Sequence, residues 1–186
     1  MKHVNHKTAV FFWFLAVFAV VGFLFYKVEK IQEERQSEYL ERLGSEPSAP
    51  ICLQMYSYIE KYSKEYKVPR HIAYNVAYRE SGYKGPFHWS YTTKHVSSMG
   101  AVGPMQIIPM YAPPFAGRQV SSDELMNSVE LNVRVSMRML RHWYSISHNW
   151  SLSCGGYNSG QLIVNEYASY CANNKDYKRN WFKPKD

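Results

Sequence analysis

Apolar positions open the chain without interruption and then change rhythm. Ala9 to Tyr26 are eighteen consecutive uncharged positions, all apolar or Gly/Tyr. As a helix rising 1.5 Å per residue, that run spans about 27 Å, close to the hydrocarbon thickness of a bilayer. Lys2 and Lys7 precede it, and Trp13 and Tyr26 are amphipathic aromatics suited to its boundaries. A cleaved signal would carry a shorter apolar region ending at a small-residue site; Val17-Phe18-Ala19 is passable, but apolar sequence continues past it. The expected reading is an uncleaved transmembrane helix with its N-terminus in the cytoplasm. Val28 to Leu43 is charged, with a sparse apolar stripe (Val28, Ile31, Leu40, Leu43), and reads as a short stalk helix or a dimerising seam, two heptads being too few to argue a coiled coil. Gly44-Ser45-Glu46-Pro47-Ser48-Ala49-Pro50 is a linker by composition. The chain therefore divides into an anchor over 1–27, a stalk and linker over 28–50, and a folded domain over 51–186.

Within that domain the spacing is helical. Met55, Ile59, Tyr62 and Tyr66 mark one face of a first helix, ended at Val68-Pro69. Pro69 suits the first turn of a second, in which Ile72, Val76 and Glu80 recur every fourth residue and stack on one face. Gly82 offers that helix a C-terminal cap, so Glu80 falls at the mouth of the fold. Asn127-Ser128-Val129-Glu130 fits a capping box, followed by the stripe Val129, Val133, Met137, Leu140, Tyr144. A further helix spans Trp150 to Tyr157, broken by Asn158-Ser159-Gly160, and Leu162, Ile163, Tyr167 and Tyr170 mark the last. No run alternates as a strand would, so the domain is expected to be mainly α.

Charge and cysteines narrow the setting. The net charge is +7, and from Ser81 onward eleven Lys/Arg face six Asp/Glu, so the domain itself is basic. That favours an anionic partner, while the absence of any nucleic-acid motif or basic run argues against nucleic acid. Cys52, Cys154 and Cys171 allow one disulfide plus a free thiol outside the cytoplasm, Cys154–Cys171 among the pairings, or three buried thiols. Their spacing is wrong for zinc, and no HExxH-type pair occurs, so neither metal nor cofactor is expected.

Candidate chemistry begins with Glu80. A carboxyl group among apolar neighbours loses hydration, which raises its pKa and keeps it protonated near neutral pH, as a general acid requires. Three segments then stand out in order: Glu80-Ser81-Gly82-Tyr83, Gly100-Ala101-Val102-Gly103-Pro104-Met105-Gln106-Ile107, and Gly156-Tyr157-Asn158-Ser159-Gly160. With the helix Asn132–Leu140 between the second and third, they resemble the lytic transglycosylases, relatives of the soluble lytic transglycosylase catalytic domain and of goose-type lysozyme. The resemblance covers roughly Ile51 to Tyr170. It implies an all-helical, lysozyme-like single domain with a glycan groove, preceded here by the transmembrane helix. It implies cleavage of the β-1,4 bond between N-acetylmuramic acid and N-acetylglucosamine in peptidoglycan, on the periplasmic or outer side of the membrane. By resemblance, Glu80 is the catalytic acid/base and Ser81 orients its carboxyl group. Met105 and Gln106 then line the groove, and Tyr157 and Asn158 offer hydroxyl and amide groups to Glu80 or substrate.

The residues also bear on mechanism. Glycosidases with two carboxylates hold them about 5–9.5 Å apart. No Asp or Glu lies between Glu80 and Asp123, and Asp123, Glu124 and Glu130 sit at helix starts, where capping explains them. One carboxyl group is then left to make both proton transfers. The resemblance names the nucleophile as the muramic acid 6-hydroxyl, giving a 1,6-anhydro product; water would make the protein a muramidase. A membrane-anchored, catalytically inert peptidoglycan-binding assembly protein is the reading from another class. Wall turnover, secretion, conjugation and phage assembly are all settings of the family. Departures from its pattern are a longer loop over 84–96 carrying Phe87, His88, Trp89, Tyr91, Lys94 and His95, together with Ser136, Met139, Pro104 and Gly155-Gly156.

Overall fold

The computed structural model describes residues 6–182; Lys2 and the last four residues of the expected domain lie outside the described residues, as does the side chain of Lys7. The chain forms two compact units, 1–39 and 40–186. The first consists of most of α1 (His6–Gly44). Every side chain from Phe12 to Tyr26 is exposed, and this helix is long and apolar enough to cross a membrane. An apolar helix with no packed face needs a non-aqueous surrounding, which makes α1 a candidate membrane anchor or signal sequence.

The second unit takes in the last turn of α1 and seven helices: α2 (Ile51–Glu65), α3 (Arg70–Ser81), α4 (Pro113–Ala116), α5 (Ser122–Asn127), α6 (Val129–Ser147), α7 (Trp150–Ser159) and α8 (Glu166–Asn173). Among the described residues there is no strand; isolated bridges join Val96 to Val102 and Val102 to Ile107. Residues 44–50, a linker by composition, are a run of turns tied to α2. There Gln54 Nε2 donates to the Ala49 carbonyl (2.8 Å), and Ser57 Oγ donates to that of Glu41 (2.7 Å).

Helix α6 is the centre of the packing, with α2 and α7 against it, α8 against α7, and α3 against α8. The expected stripes supply the core: Met55, Ile59, Ile72, Val76, Val133, Met137 and Leu140 are wholly buried. Each such side chain contributes about 1.5–3 kcal/mol through its removal from water.

Helix ends depart from the sequence expectations where a short polar side chain decides them. Asn127 closes α5 instead of opening α6; Ser128 is the cap of α6, accepting from the Leu131 N–H. The reciprocal capping box sits earlier, between Ser121 and Glu124. Pro69 caps α3 from outside rather than entering its first turn. Helix α7 runs through Asn158 to Ser159, and Gly160 ends it in the left-handed region. Helix α8 starts only at Glu166, because Asn165 accepts from the Ala168 N–H. Leu162 and Ile163, expected inside that helix, stand exposed in the loop before it. All three cysteines are free, buried thiols.

Candidate functional site

Helix α3 ends as its sequence predicts. Gly82 adopts φ 70° and donates its N–H to the Tyr78 carbonyl (2.9 Å), leaving Glu80 in the final turn. Below it on the same face, Ile72 and Val76 are fully buried, whereas Glu80 is half-buried at the edge of the core. Burial pushes its carboxyl group up to about 7, although a hydrogen bond from Tyr167 and the charge of Arg79 pull the other way. Desolvation wins because it penalises only the ionised form, and the compensating partners are few. The carboxyl group therefore keeps its proton close to neutral pH and gives it up readily.

Tyr167, in the first turn of α8, donates its hydroxyl to Glu80 Oε1. Arg79 lies over the rings of Tyr167 and Tyr170 (5.7 and 5.5 Å to the centroids) and reaches Glu166 at 3.9 Å. The Glu166 side chain is 92% exposed, so water surrounds it. The motifs did not single out Tyr167, Arg79 or Glu166. The signal available was Asn165: read as a helix cap, it puts Tyr167 in a first turn facing α3.

The second motif forms a strained loop held by its own backbone. Asn132 of α6, wholly buried, accepts from the Met105 N–H (2.8 Å) and donates to the carbonyls of Val102 and Leu125 (3.0 Å each). Gly103 is required there: its φ is 78°, and a Cβ would lie 2.4 Å from the Asn132 amide nitrogen. Gln106 sits at φ 50°, a region unfavourable for side chains other than glycine, and braces itself by donating to the Gly103 and His95 carbonyls. The Met105 side chain is fully buried; its peptide group is what meets the other motifs. Tyr157 OH donates to the Met105 carbonyl (2.6 Å) and lies 3.0 Å from Ser136 Oγ. Tyr157's phenol is pushed up by burial first and by the charge of Glu80 second.

The remaining expected residues are less directly joined to Glu80. Ser81 Oγ lies 2.7 Å from the Pro104 carbonyl, 3.2 Å from that of Ala77 and 2.5 Å from Tyr91 OH, linking α3 to the second motif and to the long loop. Its hydroxyl makes no bond to Glu80 among the described residues. Asn158 is exposed on the last turn of α7, its Oδ1 accepting from Asn165 Nδ2 at 3.3 Å. The loop over 84–96 is anchored at Tyr91, buried against Tyr83 (ring centroids 5.1 Å apart), while Trp89 is 63% exposed. Among the described residues no three His, Cys, Asp or Glu side chains gather as a metal site demands.

Three separated segments thus meet: Ser81, beside Glu80, reaches the Pro104 carbonyl, Tyr157 reaches the Met105 carbonyl, and Tyr167 holds the Glu80 carboxyl group itself. No curated protein matches the sequence. Residues 57–180 match the family model described as the transglycosylase SLT domain. That match takes in more than half of the chain and the whole of the site, and the chain belongs to this lysozyme-like transglycosylase family.

Proposed function

We propose that this protein is a peptidoglycan lytic transglycosylase in which Glu80 alone is acid and base. The observation that carries the reading is the state of that carboxyl group: half-buried, pushed to about 7, and held by one phenol. Protonated Glu80 gives its proton to the bridging oxygen as the bond from that oxygen to C1 of N-acetylmuramic acid breaks. The substrate's own N-acetyl oxygen supports the positive charge developing at C1. Glu80, now ionised and steadied by the Tyr167 hydroxyl, removes the proton of the 6-hydroxyl as its oxygen bonds to C1. The enzyme returns to its starting state, and no water is consumed. An intramolecular nucleophile needs no second carboxylate to hold it, since tethering already supplies a high effective concentration. Among the described residues, no second acid is close enough to shift Glu80.

The domain acts on the periplasmic or outer side, held at the membrane by α1. Ser81 through its hydroxyl, Gln106 through its amide and Met105 through its peptide group brace the loop against which Tyr157 and Asn158 meet the glycan. Two purified variants test the assignment. Glu80→Gln is expected to lower sacculus digestion by about 10²–10⁴-fold or more, while Glu166→Gln, altering a solvated carboxylate, keeps it. Turnover retained by Glu80→Gln would overturn the reading, as would its loss in Glu166→Gln. An intact protein that binds sacculi and never cleaves them would instead be the inert assembly component.

A further inference from the structure

A concave site lies on the side of α6 turned away from Tyr157. Arg138, Arg141 and His142 of α6, Tyr66 just past α2, and Pro114 and Phe115 of α4 line an open cavity of about 540 Å³. That volume is in the range of small-ligand sites. No acid lines it. Among the described residues, neither Arg138 nor Arg141 has a salt-bridge partner; Arg141 rests over Tyr144 at 5.1 Å. The floor is apolar and aromatic, with Phe115 set edge-on to His142 (5.5 Å). At about 100° per residue, Arg138 and Arg141 lie roughly 140–200° around α6 from Ser136. Ser136 meets Tyr157, so the cavity opens on the other side of α6 from that residue.

Two uncommitted guanidinium groups over an apolar floor suit a ligand combining carboxylates with small methyl-bearing groups. Guanidinium forks match carboxylates in geometry as well as charge. We propose that this cavity binds the peptide stems of peptidoglycan, the short anionic peptides hung on the glycan strand. This rests on the peptidoglycan reading and deepens it: the catalytic groove takes the sugars, and the α6 cavity takes carboxylates of a stem on a neighbouring turn or strand. The net charge of +7 works in the same direction, raising the local concentration of an acidic polymer.

The test uses the full chain in mild detergent, carrying Glu80→Gln so that the polymer survives. Binding to intact sacculi is compared with binding to glycan strands stripped of stems by an amidase, with and without Arg138→Gln and Arg141→Gln together. The double change is expected to weaken binding to intact sacculi about tenfold, at least one charged hydrogen bond's worth, and to leave stripped strands unaffected. Equal weakening on stripped strands, or none on intact sacculi, overturns the proposal. A parallel titration uses a free stem tetrapeptide and its fully amidated form. Tetrapeptide binding that requires the free carboxylates and both arginines, together with the weakening on intact sacculi, supports the proposal; tetrapeptide binding unchanged by the double change overturns it. Failure to bind the tetrapeptide together with unaltered sacculus binding overturns the site and keeps the peptidoglycan reading.

Discussion

If burial holds the Glu80 proton, removing the charge must stabilise the fold, and only above a certain pH. The unfolded chain ionises this group near 4.5, the folded chain near 7. Below pH 4.5 both forms are protonated, and Glu80 costs nothing. Between those values the folded protein holds a proton that the unfolded one has lost, so stability falls as pH rises. Above 7 the loss is complete. Two and a half pH units at about 1.4 kcal/mol each give about 3.5 kcal/mol. Glu80→Gln keeps the shape and can still accept from the Tyr167 hydroxyl, but it does not titrate. Urea unfolding of the full chain in mild nonionic detergent is the assay, followed by tryptophan fluorescence at pH 4 and pH 8. The two proteins are expected to match at pH 4, and the variant to exceed the parent by about 3.5 kcal/mol at pH 8. A difference that does not vary with pH, or one in favour of the parent at pH 8, refutes the desolvation argument.

Further expectations follow from neighbouring contacts. Tyr167→Phe removes the bond that pulls the Glu80 pKa down, so the alkaline limb of the pH–rate profile for sacculus digestion moves up while kcat falls; an unmoved limb contradicts the role given to Tyr167. Asn132→Ala leaves the Met105 N–H and two carbonyls without their buried partner. The Val102 carbonyl keeps the Ile107 N–H, so two groups are orphaned; at about 1–3 kcal/mol each, a loss of about 2 kcal/mol or more is expected in urea unfolding. Gly103→Ala drives a Cβ onto the Asn132 amide, so its loss of stability should add only in part to that of Asn132→Ala in the double variant, the remainder coming from the left-handed φ of 78° and the Leu125 carbonyl 2.8 Å away.

The helical stripes were legible because burial follows the 3.6-residue period: Ile72 and Val76 were read as core, and Glu80 as the last position of their face. Gly82 announced the cap that ends α3 there. Less legible were ends set by one side-chain oxygen. Asn127 and Ser128 both look like caps, and only the packing of α5 decides between them. The start of α8 was misread because Leu162 and Ile163 continue the apolar spacing while Asn165 ends it. That misreading hid Tyr167, whose meeting with Glu80 spans 87 positions and depends on how α8 docks on α3. The same limit applies to Met105. A motif names the residue, but only the fold reveals that its peptide group, not its side chain, meets Tyr157.

The central claim, one carboxyl group closing a ring without water, is tested most directly by weighing the products. Purified sacculi are digested with the parent protein, and the disaccharide-peptides are analysed by mass spectrometry before and after borohydride treatment. The account predicts species one water lighter than hydrolytic fragments and resistant to reduction, absent when Glu80→Gln is used. Mainly reducible fragments of full hydrolytic mass would contradict it and make water the nucleophile.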